Sequence, residues 1–224
     1  MTMRIPPGHC WWLILFALAT TPLRAADDKA IVDAAVTPFL KDKDYLGLVV
    51  GTTRSEGNQV FSYGTVMLGG KKQPPAADTV FEIGSISKVF TGVLLAALVV
   101  EGKVRLDDPA QKYLPENLKL PRRDNRDITL LHLATHTSSL PGEPPDIIPF
   151  AEAHKSPLDP YGAYRLPDLG KSLLAVTLDC PIGSKFAYSN LGTGLLGHAL
   201  VNAAGAKNYE DLLARRLSRS SKVF

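Results

Sequence analysis

Ser85 and Lys88 stand three residues apart at the start of a strongly apolar segment, residues 81–102. On a helix, positions i and i+3 are neighbours, so a hydroxyl and an amine would share one face of its first turn. A helix that is apolar nearly all round is expected to be buried. A buried lysine either pairs or gives up its proton. Such an amine can take a proton from a nearby hydroxyl, and a serine so activated is a nucleophile. A backbone N–H at a helix start also points outward, where the helix dipole favours the negative charge of an oxyanion. The plain alternative is that Ser85 only caps its helix, as serines routinely do.

A second group is Tyr188-Ser189-Asn190. A tyrosine near Lys88 can share its proton and act as a second relay, and Asn190 can hold an amide of a substrate. The asparagine can equally well cap the helix that follows it.

These residues need elements to carry them. Residues 28–40 place Ile31, Val32, Ala35, Val36 and Phe39 on one stripe, which predicts an amphipathic helix. Residues 46–53 and 59–68 are rich in β-formers and read as a hairpin around Ser55-Glu56-Gly57-Asn58, followed by a polar loop over 71–77. A brief strand at 80–83 would deliver the chain into the Ser85 helix, which Gly102 would stop. Thr129 can cap a helix running to about Thr135. Residues 141–181 hold eight prolines and read as a loop-rich cap. A helix over 191–204 meets Gly205, and Asn208 can cap a last one to about Leu217.

The chain opens as an export signal. Residues 1–9 carry Arg4 and no acid, residues 10–20 are apolar, and Leu23-Arg24-Ala25 offers a cleavage site. An uncut anchor is the alternative, although the apolar run is shorter than the roughly 20 residues that span a bilayer. Cleavage of residues 1–25 from 224 would leave 199, enough for one domain with a core. Two of the 25 basic residues would leave with the signal and all 22 acids would stay, a balance of +1. That gives no reason to expect nucleic acid or an acidic membrane surface as a partner, and no stable membrane span is expected after cleavage. Cys180 would be the single remaining cysteine, so no internal disulfide is expected, and it reads as a core filler.

Taken together, the chain resembles the penicillin-binding-protein and class C β-lactamase superfamily of serine hydrolases, the AmpC-type β-lactamase relatives. The resemblance is carried by Phe81-Glu82-Ile83-Gly84-Ser85-Ile86-Ser87-Lys88, Leu106-Asp107-Asp108-Pro109 and Tyr113-Leu114-Pro115. It continues through the stretch 128–141 around His136, the Tyr188 motif and residues 191–197, and so covers roughly 28–213. It implies an α/β (α+β) fold, a β-lactamase/transpeptidase-like sheet flanked by helices with an inserted helical lobe. Ser85 would be acylated, Lys88 would accept its proton, Tyr188 would help to activate the deacylating water, and Asn190 would contact substrate. The substrate would be a small molecule or derive from peptidoglycan: a β-lactam, a D-Ala-D-Ala peptide or an ester. No cofactor or metal is implied, and the exported protein would be periplasmic or secreted.

One family feature is missing. No Lys-Thr-Gly, Lys-Ser-Gly or His-x-Gly occurs in the 224 residues. The expectation is therefore a truncated or frameshifted product lacking later sheet strands, with the alternative of a catalytically inactive exported remnant. Losing one oxyanion donor alone costs ~100- to 1000-fold in rate.

Three rival signals are weaker. Gly192-Thr193-Gly194-Leu195-Leu196-Gly197 fits a dinucleotide fingerprint, but that motif needs a strand before it, and close helix packing explains the glycines better. His132 and His136 are four apart but have no adjacent glutamate or third ligand, so local hydrogen bonding is expected rather than zinc. No Gly-x-Ser-x-Gly is present, which argues against a lipase-type nucleophile elbow.

Overall fold

A computed structural model describes residues 25–41, 47–155 and 159–220. The predicted export signal, residues 1–25, falls almost wholly outside them. Among the described residues no helix is long and apolar enough to cross a membrane. The chain divides into two compact units, Met1–Glu82 and Ile83–Phe224.

In the first unit, helix α1 (Ala25–Leu40) accompanies an antiparallel hairpin of β1 (Gly47–Arg54) and β2 (Gly57–Gly64). The predicted stripe is half realised, since Val32 and Val36 are buried while Ile31 and Phe39 are exposed. Polar bonds fix the helix to the hairpin. Arg54 Nε donates to Asp28 Oδ2 at 2.8 Å, and Tyr63 Oη donates to Asp33 Oδ1 at 2.7 Å. The Arg54 guanidinium holds the Asp28 carboxyl below the usual carboxylate range.

The structure corrects the predicted second arm and the loop after it. β2 ends at Gly64, and a second small hairpin follows, β3 (Val66–Leu68) with β4 (Lys71–Gln73). Its turn is Gly69-Gly70, both with positive φ, the glycine pair that a tight hairpin favours. The predicted strand at 80–83 does not form. Val80 is 93% exposed, and a strand without a partner has no ladder to stabilise it.

The second unit is helical. Its long helices are α2 (Ser87–Val100), α6 (Asn190–Ala204) and α7 (Tyr209–Ser220), with shorter α3 (Leu130–Ala134), α4 (Ile147–Ala153) and α5 (Leu166–Leu174). Two of the long helices end as the sequence predicts. Gly102 and Gly205 both take positive φ, and Lys103 N–H reaches back to the Leu98 carbonyl at 2.9 Å to close α2. Thr129 caps α3, and Asn208 Oδ1 accepts from Asp211 N–H at 2.8 Å to cap α7. The region predicted as a loop-rich cap does contain the short helices α4 and α5.

The core of this unit joins Leu94 and Leu98 of α2, Leu130 and Leu133 of α3, and Leu195 and Leu200 of α6. Two expectations fail here. α2 is not buried all round: Ile86, Val89, Val93 and Val100 lie on an exposed stripe, because no described residue of the unit covers that side. Cys180 is no core filler either. It is half-exposed, with Sγ 3.0 Å from Ser139 Oγ, a bond that lowers its thiol pKa.

Candidate active site

Ser85 lies in a 3-10 turn, Gly84–Ile86, that runs directly into α2. Gly84 has φ +52°, a backbone conformation that a residue with a Cβ rarely adopts, and Ser87 Oγ donates back to its carbonyl at 2.7 Å. The nucleophile candidate therefore sits at the helix start, as the sequence predicted, but one turn type tighter. Lys88 follows in the first turn of α2, and its Nζ is 3.1 Å from Ser85 Oγ.

The second half of the site arrives from α6. Ser189 Oγ accepts from Gly192 N–H at 2.8 Å and so is the helix cap. Asn190 is thereby released from the capping role that its sequence position allowed, and its amide turns to Lys88, whose Nζ donates to Asn190 Oδ1 at 2.5 Å. Tyr188 precedes the cap, and its Oη lies 2.5 Å from Ser85 Oγ. Lys88 Nζ is 4.8 Å from the centre of the Tyr188 ring. All four residues singled out in the sequence converge on one point, from segments about 100 positions apart.

Lys88 is half-buried rather than buried, so its equipment is its neighbours and not an apolar enclosure. Tyr188 has a lowered pKa, because Lys88 beside it and then the bond to Ser85 favour the phenolate. The pair is thus arranged to hold and pass a proton.

A zipper of backbone bonds holds the two halves in place. Ala187 N–H donates to the His136 carbonyl at 2.8 Å, and Asn190 N–H donates to the Gly142 carbonyl at 2.8 Å. His136 and Ser139 both adopt positive φ, an uncommon conformation for residues with side chains, in the turn that presents these carbonyls. His136 Nδ1 accepts from Ser189 N–H at 3.1 Å, while its ring lies 4.7 Å from that of Tyr188. Burial, then the Lys88 charge, lowers the His136 pKa and keeps it a neutral acceptor. His132 instead bonds locally, with Nδ1 accepting from Thr129 N–H at 3.1 Å. No group of metal-ligating side chains occurs among the described residues.

Two residues of the site escaped the sequence reading. Glu143 accepts from Asn190 Nδ2 and from Tyr161 Oη. Both lie in the proline-rich stretch, where no periodicity marks them. The fingerprint-like glycines are interior to α6, with no preceding strand. A Cβ on Gly192 would come within 3.2 Å of Ser189 Oγ, so close packing explains it. Gly194 meets nothing within 4 Å and instead lines a cleft of about 740 Å³ that starts at Ser85 and Lys88.

Comparison with known proteins identifies the family and the fold. A family model described as Beta-lactamase matches residues 32–222. The D-alanyl-D-alanine-carboxypeptidase/endopeptidase AmpH of Escherichia coli K12 is 39% identical over 166 residues, 73% of this chain and 41% of that protein. A beta-lactamase of the same organism is 36% identical over 212 residues, 94% of this chain and 51% of that protein. A solved class C beta-lactamase superposes with a TM-score of 0.68 at 27% identity, covering 87% of this chain and 49% of the other. The chain thus spans about half the length of these relatives, and its mixed helix-and-sheet architecture is theirs. The family model over most of the chain and the shared fold make this chain a member of the beta-lactamase family.

Proposed function

We propose that the chain carries the acylation site of a serine hydrolase of the β-lactamase/DD-peptidase type. The observation that supports this best is the placement of Ser85 Oγ within hydrogen-bond distance of both Tyr188 Oη and Lys88 Nζ. Ser85 Oγ attacks the substrate carbonyl carbon. Its proton passes to the Lys88–Tyr188 pair, with Lys88 as the acceptor, and the pair then returns a proton to the departing amine or alkoxide. The Ser85 N–H, at the helix start, has no partner within the helix and serves as the oxyanion donor. Tyr188 then helps a water to attack the ester, while Asn190 contacts the substrate. No cofactor takes part.

The substrate class is a small molecule with an attackable carbonyl: a β-lactam, a D-Ala-D-Ala peptide from peptidoglycan, or an ester. The peptide fits the name of the AmpH relative and the β-lactam the names of the others. The protein is exported, on the strength of residues 1–25. A second reading is acylation of Ser85 without turnover.

The test is to incubate the chain with nitrocefin, a D-Ala-D-Ala peptide and a p-nitrophenyl ester, following product and the intact mass. Sustained product release that Ser85→Ala abolishes supports the hydrolase. An adduct on Ser85 without turnover supports the second reading. No adduct and no product with any of the three overturns both.

A further inference from the structure

Glu143 supplies a carboxylate directly behind the site. It lies two residues beyond Pro141, in the segment that the α6 start is zipped against, and it is half-buried. One of its oxygens accepts from Asn190 Nδ2 and the other from Tyr161 Oη. The opposite end of the same Asn190 amide accepts from Lys88 Nζ, and Lys88 Nζ also donates to Ser85 Oγ. The chain of contacts therefore runs Tyr161–Glu143–Asn190–Lys88–Ser85 without a break.

An asparagine amide has an oxygen that only accepts and a nitrogen that only donates. Lys88 Nζ donates to this amide, so it needs the oxygen. A carboxylate on the far side of the amide needs the nitrogen. With both in place, only one of the two orientations of the Asn190 amide is compatible with its surroundings. Flipping it would set Nδ2 against the Lys88 donor and Oδ1 against the Glu143 carboxylate, losing two charge-assisted bonds together. Tyr161 keeps the carboxylate itself from swinging. Burial and its bond to Glu143 push the Tyr161 hydroxyl pKa up to about 12, so it remains a donor throughout the neutral range.

We propose that Glu143 is a positioning residue for the acylation reaction: it fixes the Asn190 amide and, through it, holds Lys88 at Ser85. This rests on the reading of Ser85 as the nucleophile. Glu143 touches no reacting atom. Its action is to keep Lys88 Nζ at the serine and to leave the second N–H of Asn190 Nδ2 for the substrate. Glutamine keeps the shape and can still accept from Asn190 Nδ2 while its NH2 donates to the Tyr161 oxygen, but it loses the charge that strengthens both bonds; alanine removes the acceptor altogether.

The experiment compares the full chain with Glu143→Gln, Glu143→Ala and Tyr161→Phe. The readouts are the single-turnover rate of Ser85 labelling by a fluorescent penicillin and by p-nitrophenyl acetate, and the final labelled fraction. A misplaced amine should lower the acylation rate about 10- to 100-fold in Glu143→Ala, and by less in Glu143→Gln and Tyr161→Phe. The labelled fraction at completion should stay that of the parent, because a purely structural role would reduce the fraction of competent chains instead. An unchanged rate, or a lower fraction at an unchanged rate, overturns the proposal. The side-chain amide resonance of Asn190 is a second reading that needs no turnover. It should move strongly in Glu143→Ala and hardly at all in Ser85→Ala. If the parent chain is labelled by neither probe, the hydrolase reading fails and the positioning role falls with it, while a resonance that is unmoved in a chain that is labelled overturns the proposal alone.

Discussion

Helices α2 and α6 are close in length, both end on a glycine with positive φ, and each delivers its first turn to the site. Their surroundings differ. α6 packs against α2, α3, α7 and the 3-10 turn Ala110–Tyr113, and it buries Leu191, Leu195, Leu196, Ala199 and Leu200. α2 is the more apolar sequence, yet it buries only Thr91, Leu94, Leu95 and Leu98, and Val93 is 55% exposed. Apolar composition sets a tendency to be buried, but only a second surface can bury it. The starts differ as well. α6 has a serine cap, whereas α2 continues from a 3-10 turn with no capping side chain. The uncapped start leaves Ser85 free for the site; the capped one frees Asn190.

The contrast is broken most directly by trimming one side chain from each helix. Leu195→Ala, at a position fully buried in the core, should cost about 2–5 kcal/mol of unfolding free energy. Val93→Ala should stay within about 0.5 kcal/mol. Urea unfolding of both variants checks this, and equal losses would mean that the outer face of α2 is covered in solution.

A smaller effect is expected at the cap. Ser189→Ala removes the acceptor for Gly192 N–H and the donor to the Pro141 carbonyl at 2.6 Å. It should cost about 1–2 kcal/mol and slow acylation, since Tyr188 and Asn190 flank the cap. An unchanged thermal midpoint would show that the zipper alone holds this corner.

The smallest effect concerns pH. His132, His136 and His198 all have pKa values lowered from 6.5, with burial as the first cause in each. Below 6.5 the unfolded chain binds more protons than the folded one, so stability is complete above that pH and declines as pH falls toward the lowered values. α6 contributes His198 to this slope and α2 contributes no histidine. Thermal midpoints measured from pH 7.5 to 5 should fall, and His198→Gln should flatten the decline. A slope unaffected by this substitution would assign the effect to the two histidines beside the zipper.

The legible part of the molecule was local. Ser-x-x-Lys on a helix start, Thr129 and Asn208 as caps, and Gly102 and Gly205 as stops all follow from i to i+4 relations, which a sequence displays directly. The hairpin is legible too, although the break after Gly64 and the second hairpin around Gly69-Gly70 are not. Glu143 and Tyr161 were not legible, because nothing in a proline-rich stretch announces which carboxylate will face which amide.

The sequence by itself determined which groups could do chemistry and which face of each helix start would carry them, since side-chain type and helical spacing are properties of the chain. Only the tertiary structure decided that Ser189 rather than Asn190 caps α6, that Glu143 and Lys88 hold opposite ends of one amide, and that one side of α2 faces solvent. The cap bond itself is local, but Ser189 is held for it by the Pro141 carbonyl 48 positions away, and Asn190 meets Glu143 and Lys88 47 and 102 positions away. Such bonds and buried surfaces exist only where the fold brings the second partner.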